Sequence, residues 1–113
     1  MFEVDEARFE ELVADALDSL PPELAKAMDN VAVQVEDGEP TGRVLGLYRG
    51  HPLTQRTLWY DSAPDIITIY RLPICSRCRN EHEVANQVRH TVVHEVAHHF
   101  GISDDRLRDI GRY

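Results

Sequence analysis

Two histidines in the C-terminal third of the chain are separated by three residues, in the order His94-Glu95-Val96-Ala97-His98. Residues four apart lie on one face of a helix, about one turn from each other, so both imidazoles can bind a single metal ion. The carboxylate of Glu95 is then placed to accept a proton from a water molecule on that metal. The pattern predicts a zinc site that carries out hydrolysis.

His90 precedes His94 by one further turn, so the predicted helix offers three histidines in a row. His90 and His98 would lie about 12 Å apart along the helix axis, which is too far for one metal ion to bind all three. The metal therefore takes either the first two or the last two, and only the last two have a glutamate directly after the first histidine. We expect His94 and His98 to be metal ligands and Glu95 to be the general base.

A catalytic zinc ion usually has three protein ligands and one open position. Gly101 permits a sharp reversal of the chain after the helix, and Asp104 lies six residues after His98. This is the spacing of an extended zinc signature, His-x-x-x-His-x-x-Gly-x-x-His, with aspartate in place of the third histidine. We expect Asp104 to be the third ligand, with Asp105, His90 or a distant glutamate as alternatives. The competing role for both aspartates is to cap a final helix.

The helix that presents these residues is predicted over about residues 81 to 100. Valine is a poor intrinsic helix former, so packing against a sheet must stabilise a helix that contains so many. Four of these valines recur at every fourth position, on a different face from the histidines: Val84, Val88, Val92 and Val96. His99 is expected to pack in the core, and Gly101 can end the helix in the left-handed conformation.

The remaining elements are predicted from periodicity and residue type. Apolar residues three and four apart predict an N-terminal helix over about 5–19 that Asp5 caps, and Pro22 can open a short second helix through Met28. A last short helix is predicted over 104–110. Strands are predicted over 31–35, 44–48, 57–60 and 65–72. The order indicates an α+β fold in a single domain, with a small mixed or antiparallel sheet of three to four strands packed against the metal helix and the N-terminal helix.

Composition limits the classes of partner. The chain has 113 residues and a formal net charge of -8, so phosphate backbones and anionic lipid surfaces are repelled, and we expect neither nucleic acid nor membrane as a partner. No apolar run approaches the roughly 20 residues that span a bilayer. The N-terminus lacks the basic and apolar regions of a secretory signal, so a cytoplasmic location is expected.

A Cys-x-x-Cys pair, Cys75 and Cys78, lies in a predicted loop between the last strand and the metal helix. The neighbouring Arg77 and Arg79 would lower the pKa of the thiols. A four-ligand zinc site would need more partners than this pair and His82 supply. We expect a local disulfide or a thiol pair that stiffens the loop, with a redox or second-metal role as the alternative.

The metal motif and two upstream segments resemble the short bacterial minimal zincin proteins, which possess a metallopeptidase-like domain. The most specific similarity lies in residues 94–107, and residues 45–50 and 64–71 are similar to that family's Leu-Gly-Leu-Tyr-x-Gly segment and to its strand before the helix. The resemblance covers about residues 28–110. It implies an α+β zincin-like domain that binds one zinc ion and acts on a peptide or protein. The implied site residues are His94, His98 and Asp104 as ligands and Glu95 as general base.

In zincins an edge strand beside the metal helix typically binds the substrate by strand addition, and the predicted strand 65–72 is the expected one here. The candidate substrate-binding residues are Asp65, Ile67, Ile69 and Tyr48, the last as an oxyanion or pocket residue. Only residues 105–113 follow the third ligand, so we expect a shallow cleft and weak or narrowly targeted activity.

Two other functions compete with peptide hydrolysis. A zinc-binding interaction module without catalysis would not need Glu95. A metal-dependent endoribonuclease with a similar histidine site would have glycine after the first histidine, and both Glu95 and the negative net charge argue against it.

Overall fold

The computed structural model describes residues 1–26, 28–50, 64–102 and 105, apart from the side chain of Glu23. Within these ranges the chain forms four helices and three strands. The helices are α1 (Glu6–Asp18), α2 (Pro22–Lys26), α3 (Arg71–Ser76) and α4 (Glu81–His99), and the strands are β1 (Val31–Glu36), β2 (Gly46–Arg49) and β3 (Asp65–Tyr70). The predicted α+β class is confirmed. The predicted strand over 57–60 lies outside the described residues, as does the final helix apart from Asp105, which is helical and exposed.

The three strands form a mixed sheet in the order β1-β3-β2. β1 is parallel to β3, with Val31 opposite Asp65, and β2 is antiparallel to β3, with Gly46 opposite Ile69. The prediction that β3 is an edge strand is therefore wrong. Its run of isoleucine and threonine is the pattern of a strand that is buried on both faces, and such strands occupy the middle of a sheet.

Helix α4 packs on this sheet and α1 packs on α4. The predicted valine stripe of α4 is fully buried, so the apolar contact that compensates for the low helix propensity of valine is present. On α1, Phe9 is also fully buried. The predicted N-cap is confirmed, since Oδ1 of Asp5 accepts a 2.8 Å hydrogen bond from the backbone N–H of Arg8.

The segment between β3 and α4 differs from the prediction of a strand to residue 72 followed by a loop. The strand ends at Tyr70, and α3 begins at the next residue. Pro73 therefore lies in the first turn of a helix, where a missing N–H costs nothing because that group has no intrahelical acceptor. The short helix buries Ile74 and Cys75.

The end of α4 follows the prediction, and its start is capped by a side chain. Asn80 caps its first turn by accepting a 2.9 Å hydrogen bond from the backbone N–H of Glu83. Gly101, with φ 76°, lies in the left-handed region just after the last turn. None of the described helices combines the length and the apolar character that crossing a membrane requires.

Candidate metal centre

The polar face of α4 carries the histidines predicted from the sequence. His90 is exposed, while His94 and His98 are half-buried. Because the valine stripe is buried, the same helix that supplies core packing on one side presents these imidazoles on the other. The predicted division of α4 into an apolar face and a histidine face is thus observed.

His94, Glu95 and His98 each offer one ligand atom, and these atoms lie within 4.8 Å of one another. The ring centroids of the two histidines are 4.7 Å apart, and Oε1 of Glu95 lies 3.3 Å from Nδ1 of His98. In the described part of the chain this is the one group of three or more potential ligands. Two imidazoles beside a carboxylate are donors that zinc prefers, so the residues fit a zinc ion.

The described residues contain two of the three predicted ligands. Asp104 lies outside them, and its role stays a prediction. The alternative Asp105 is exposed. The alternative His90 is set apart from the group, with its ring centroid 6.3 Å from that of His94.

Glu95 is only 7% exposed because β2 lies directly over it. A Cβ atom on Gly46 would be 3.0 Å from Cγ of Glu95 and 2.7 Å from Cγ2 of Thr91, so only glycine permits this approach of strand to helix. Thr91 is itself fixed, since its hydroxyl donates a 2.8 Å hydrogen bond to the carbonyl of Gln87. A glycine inside a strand indicates a close approach of another part of the chain, so the position of Gly46 in a predicted strand is a sequence signal for this contact.

A cleft of about 350 Å³ opens beside this group of potential ligands. One wall is the chain from Arg43 to Gly46, and the other is the polar face of α4, including His94 and Glu95. A carbonyl group placed in this cleft would lie next to the carboxylate and to a metal on the histidines. The cleft is the space in which the predicted chemistry can occur.

A buried polar network lies behind the metal centre and joins three elements. Oδ2 of Asp65 accepts a 2.6 Å hydrogen bond from the hydroxyl of Tyr48 and lies 2.8 Å from Nδ1 of His99. Asp65 and His99 are both almost completely buried, so the prediction of His99 as a core residue is confirmed. Because His99 directly follows His98, this network fixes the end of α4 that carries the predicted metal ligands.

The model of the zincin-like metallopeptidase family matches residues 28–112. The chain belongs to this family. No curated protein matches it. Among solved structures, the chain is similar to a conserved hypothetical protein from Thermus thermophilus, with 20% identity, a TM-score of 0.60 and coverage of 96% of this chain and 100% of that chain. At this identity the likeness shows a shared fold.

The zincin-like domain does not place the predicted substrate-binding residues of β3 at its surface. Ile67 and Ile69 are buried under α4, and Asp65 is bound in the polar network. These three side chains therefore cannot contact a bound peptide in this structure. Beside α4, the edge of the described sheet is β2 instead. Tyr48 is half-buried on β2, and its role in substrate binding stays a prediction.

The zincin-like domain holds Cys75 and Cys78 as free, buried thiols, which corresponds to the thiol pair of the prediction and not to its disulfide. Cys75 lies in α3 and Cys78 lies two residues after its end, and both are buried. The predicted lowering of the thiol pKa is wrong for Cys78, because burial raises the pKa of this thiol more than the charge of Arg77 lowers it. Neither cysteine belongs to a group of potential metal ligands in the described part of the chain.

Proposed function

We propose that this protein is a zinc-dependent peptidase in which Glu95 acts as the general base. The observation that supports the proposal most strongly is the convergence of His94, Glu95 and His98 at the side of an open cleft. Membership of the zincin-like metallopeptidase family adds the expectation of peptide hydrolysis. The net charge of -8 favours a peptide over a nucleic acid as the substrate.

His94 and His98 would hold the zinc ion, with Asp104 as the proposed third ligand. A bound zinc ion supplies Lewis acidity, which lowers the pKa of a coordinated water to about 7 and polarises a carbonyl group. Glu95 accepts the proton of the attacking water and donates it to the leaving amine. Its low exposure and the contact with Gly46 hold its carboxylate in one position, which favours a proton transfer with little reorganisation.

We propose that the substrate adds to β2 as an antiparallel strand. β2 is paired on one side with β3, and its other side is not paired within the described residues. The segment that leads into β2 already forms one wall of the cleft. A peptide paired with this edge would pass beside His94 and Glu95, and its main-chain hydrogen bonds would supply affinity without a deep pocket.

The first experiment is metal analysis by ICP-MS of tag-free protein purified without chelator. We expect about one zinc per chain in the wild type and in Glu95→Gln, and none in His98→Ala. Protein that binds no zinc even after zinc is added would remove the hydrolase proposal.

The second experiment is digestion of a peptide library derived from a whole proteome, read by mass spectrometry. The zinc-loaded wild type is expected to cleave library peptides, and zinc-loaded Glu95→Gln is expected to lose this activity. Equal cleavage by the two proteins would refute the role of Glu95. Zinc binding without any cleavage by the wild type would favour the non-catalytic zinc module.

A further inference from the structure

A second cleft continues the cleft of the metal centre along α4. It has a volume of about 540 Å³ and shares Gln87 and His90 with the first. We call the two together the α4 trench. The second cleft lies between the polar face of α4 and the turn at Arg77–Arg79 that follows α3. The trench is longer than a site for one scissile bond requires, so its distant half is available to recognise the substrate.

Arginines line the α4 trench of a protein that carries eight net negative charges. Arg43 borders the first cleft, and Arg77 and Arg79 border the second. Nη1 of Arg77 donates to the carbonyls of Gly42 (3.2 Å) and Pro73 (2.9 Å). These bonds orient the guanidinium but leave its charge uncompensated, since carbonyls are neutral. Within the described residues neither Arg43 nor Arg77 forms an ion pair with a carboxylate.

The second cleft already holds one carboxylate, that of Glu83. It accepts a 2.7 Å hydrogen bond from the backbone N–H of Arg79 and lies 3.1 Å from Nη2 of the same residue. These contacts lower the pKa of Glu83. The arginine side chain itself is 85% exposed, so a carboxylate that arrives from solvent can reach it. The cleft therefore combines charge and donors suited to an acidic side chain.

The distance between the two clefts along α4 corresponds to a number of residues in an extended peptide. The centre of the second cleft on α4 lies near Gln87, about eight residues before the Glu95 region, which is about 12 Å along the helix. An extended peptide rises about 3.3 Å per residue, so the second cleft is three to four residues from the scissile bond.

The direction of the peptide follows from that of β2. Gly46 lies against Thr91 and Glu95, while Tyr48 reaches His99, so β2 runs in the same direction as α4. A peptide antiparallel to β2 runs the opposite way, from the end of α4 toward its start. The second cleft therefore receives residues on the C-terminal side of the scissile bond.

We propose that the α4 trench selects peptides with Asp or Glu three to four residues C-terminal to the scissile bond, bound by Arg77 and Arg79. This proposal rests on the proposed peptidase function and adds the class of substrate. The library digest separates the two. An absence of cleavage refutes the peptidase function, whereas cleavage without enrichment of acidic residues at these positions, or with enrichment only on the N-terminal side, refutes the acidic selection.

A binding assay tests the same trench without turnover. The probes are two fluorescein-labelled decapeptides, identical except that one carries four consecutive glutamates where the other carries glutamines, and the protein is Glu95→Gln. Fluorescence anisotropy is expected to show tighter binding of the glutamate peptide. Arg77→Gln is expected to weaken that binding about fivefold, the upper range for an exposed ion pair, while Arg77→Lys retains part of it.

Glu83→Gln gives the opposite expectation, because it removes the carboxylate that competes for Arg79. It is expected to tighten binding of the glutamate peptide, which damage to the fold would not do. Lys26→Gln is the control, since it removes one positive charge from a residue outside the α4 trench, and it is expected to change binding less than twofold. Equal effects of Arg77→Gln and Lys26→Gln, or weaker binding by Glu83→Gln, would overturn the proposal.

Discussion

Substitution of Gly46 by alanine tests whether the contact of β2 with α4 sets the position of Glu95, the proposed general base. The added Cβ would lie 2.7 Å from Cγ2 of Thr91 and 3.0 Å from Cγ of Glu95, whereas carbon atoms in ordinary contact are about 3.5–4.0 Å apart. Strand and helix must therefore separate by up to about 1 Å, or both side chains must leave their positions. Thr91 is bonded to the backbone of its own helix, so Glu95 is the easier one to displace.

The expected cost is that of overpacking, about 1–3 kcal/mol in the free energy of unfolding. For a domain of this size that corresponds to a fall in Tm of about 4–12 °C. The sign of the change in the free energy of unfolding distinguishes a close contact from open space. Where the backbone and its surroundings tolerate it, replacing glycine by alanine stabilises a protein by about 0.4–1 kcal/mol through the unfolded state. Peptidase turnover is expected to fall more than zinc binding, since the two histidines do not contact the new methyl group.

The assays are urea unfolding, zinc content and cleavage of a peptide found in the library digest. Thr91→Ser is the matched second substitution, because it removes Cγ2 and keeps the hydroxyl that bonds to Gln87. The double variant Gly46→Ala/Thr91→Ser is expected to regain at least half of the lost stability, which gives a favourable coupling energy between the two sites. A Gly46→Ala protein with wild-type stability and turnover would refute the reasoning.

Three further predictions concern the metal, the buried network and the cysteine. Zinc at about 100 times its Kd is expected to stabilise the wild type by about 2.7 kcal/mol and to leave His98→Ala unchanged in a thermal scan; equal shifts in both would place the metal elsewhere. Asp65→Ala removes the carboxylate that bonds to both Tyr48 and the buried His99, and it is expected to cost about 3–5 kcal/mol in urea unfolding. A cost below about 1 kcal/mol would contradict the network. The pKa of Cys78 is raised in the folded state, so the thiol of the unfolded chain ionises first, near its ordinary pKa of 9.0. The stability that this thiol contributes is therefore present below about pH 9 and is lost as the pH rises above it. In unfolding experiments Cys78→Ala is expected to lose less stability at alkaline pH than the wild type, and an equal loss would contradict the prediction.

The parts of the fold that depend on local sequence could be predicted. The length of α4 and its end at a glycine follow from residues of the helix itself and from the residue just after it. The grouping of His94, Glu95 and His98 is equally local, because helix periodicity alone brings them together. The separation of the two histidines from the buried valine face follows from the same periodicity.

Features that depend on pairing between distant segments could not be predicted in the same way. The central position of β3 requires knowledge of which strands flank it, and the run of β-branched residues gives only an indication of burial on both faces. The network of Tyr48, Asp65 and His99 joins residues that are 17 to 51 positions apart, and no local periodicity relates them. The interpretation of Asp65 as a substrate-binding residue fails for this reason, because its hydrogen-bond partners lie far from it along the chain.

The unequal pairing of β3 and β2 has a consequence for hydrogen–deuterium exchange. Amides of β3 are held between two neighbouring strands, so they are expected to exchange among the slowest in the protein, through opening of the whole domain. β2 is paired on one side only within the described sheet, and its amides that face away from β3 lie on the proposed docking edge. A peptide docked on that edge would slow these amides and leave β3 unchanged, so the location of a bound substrate can be read from the backbone before its sequence is known.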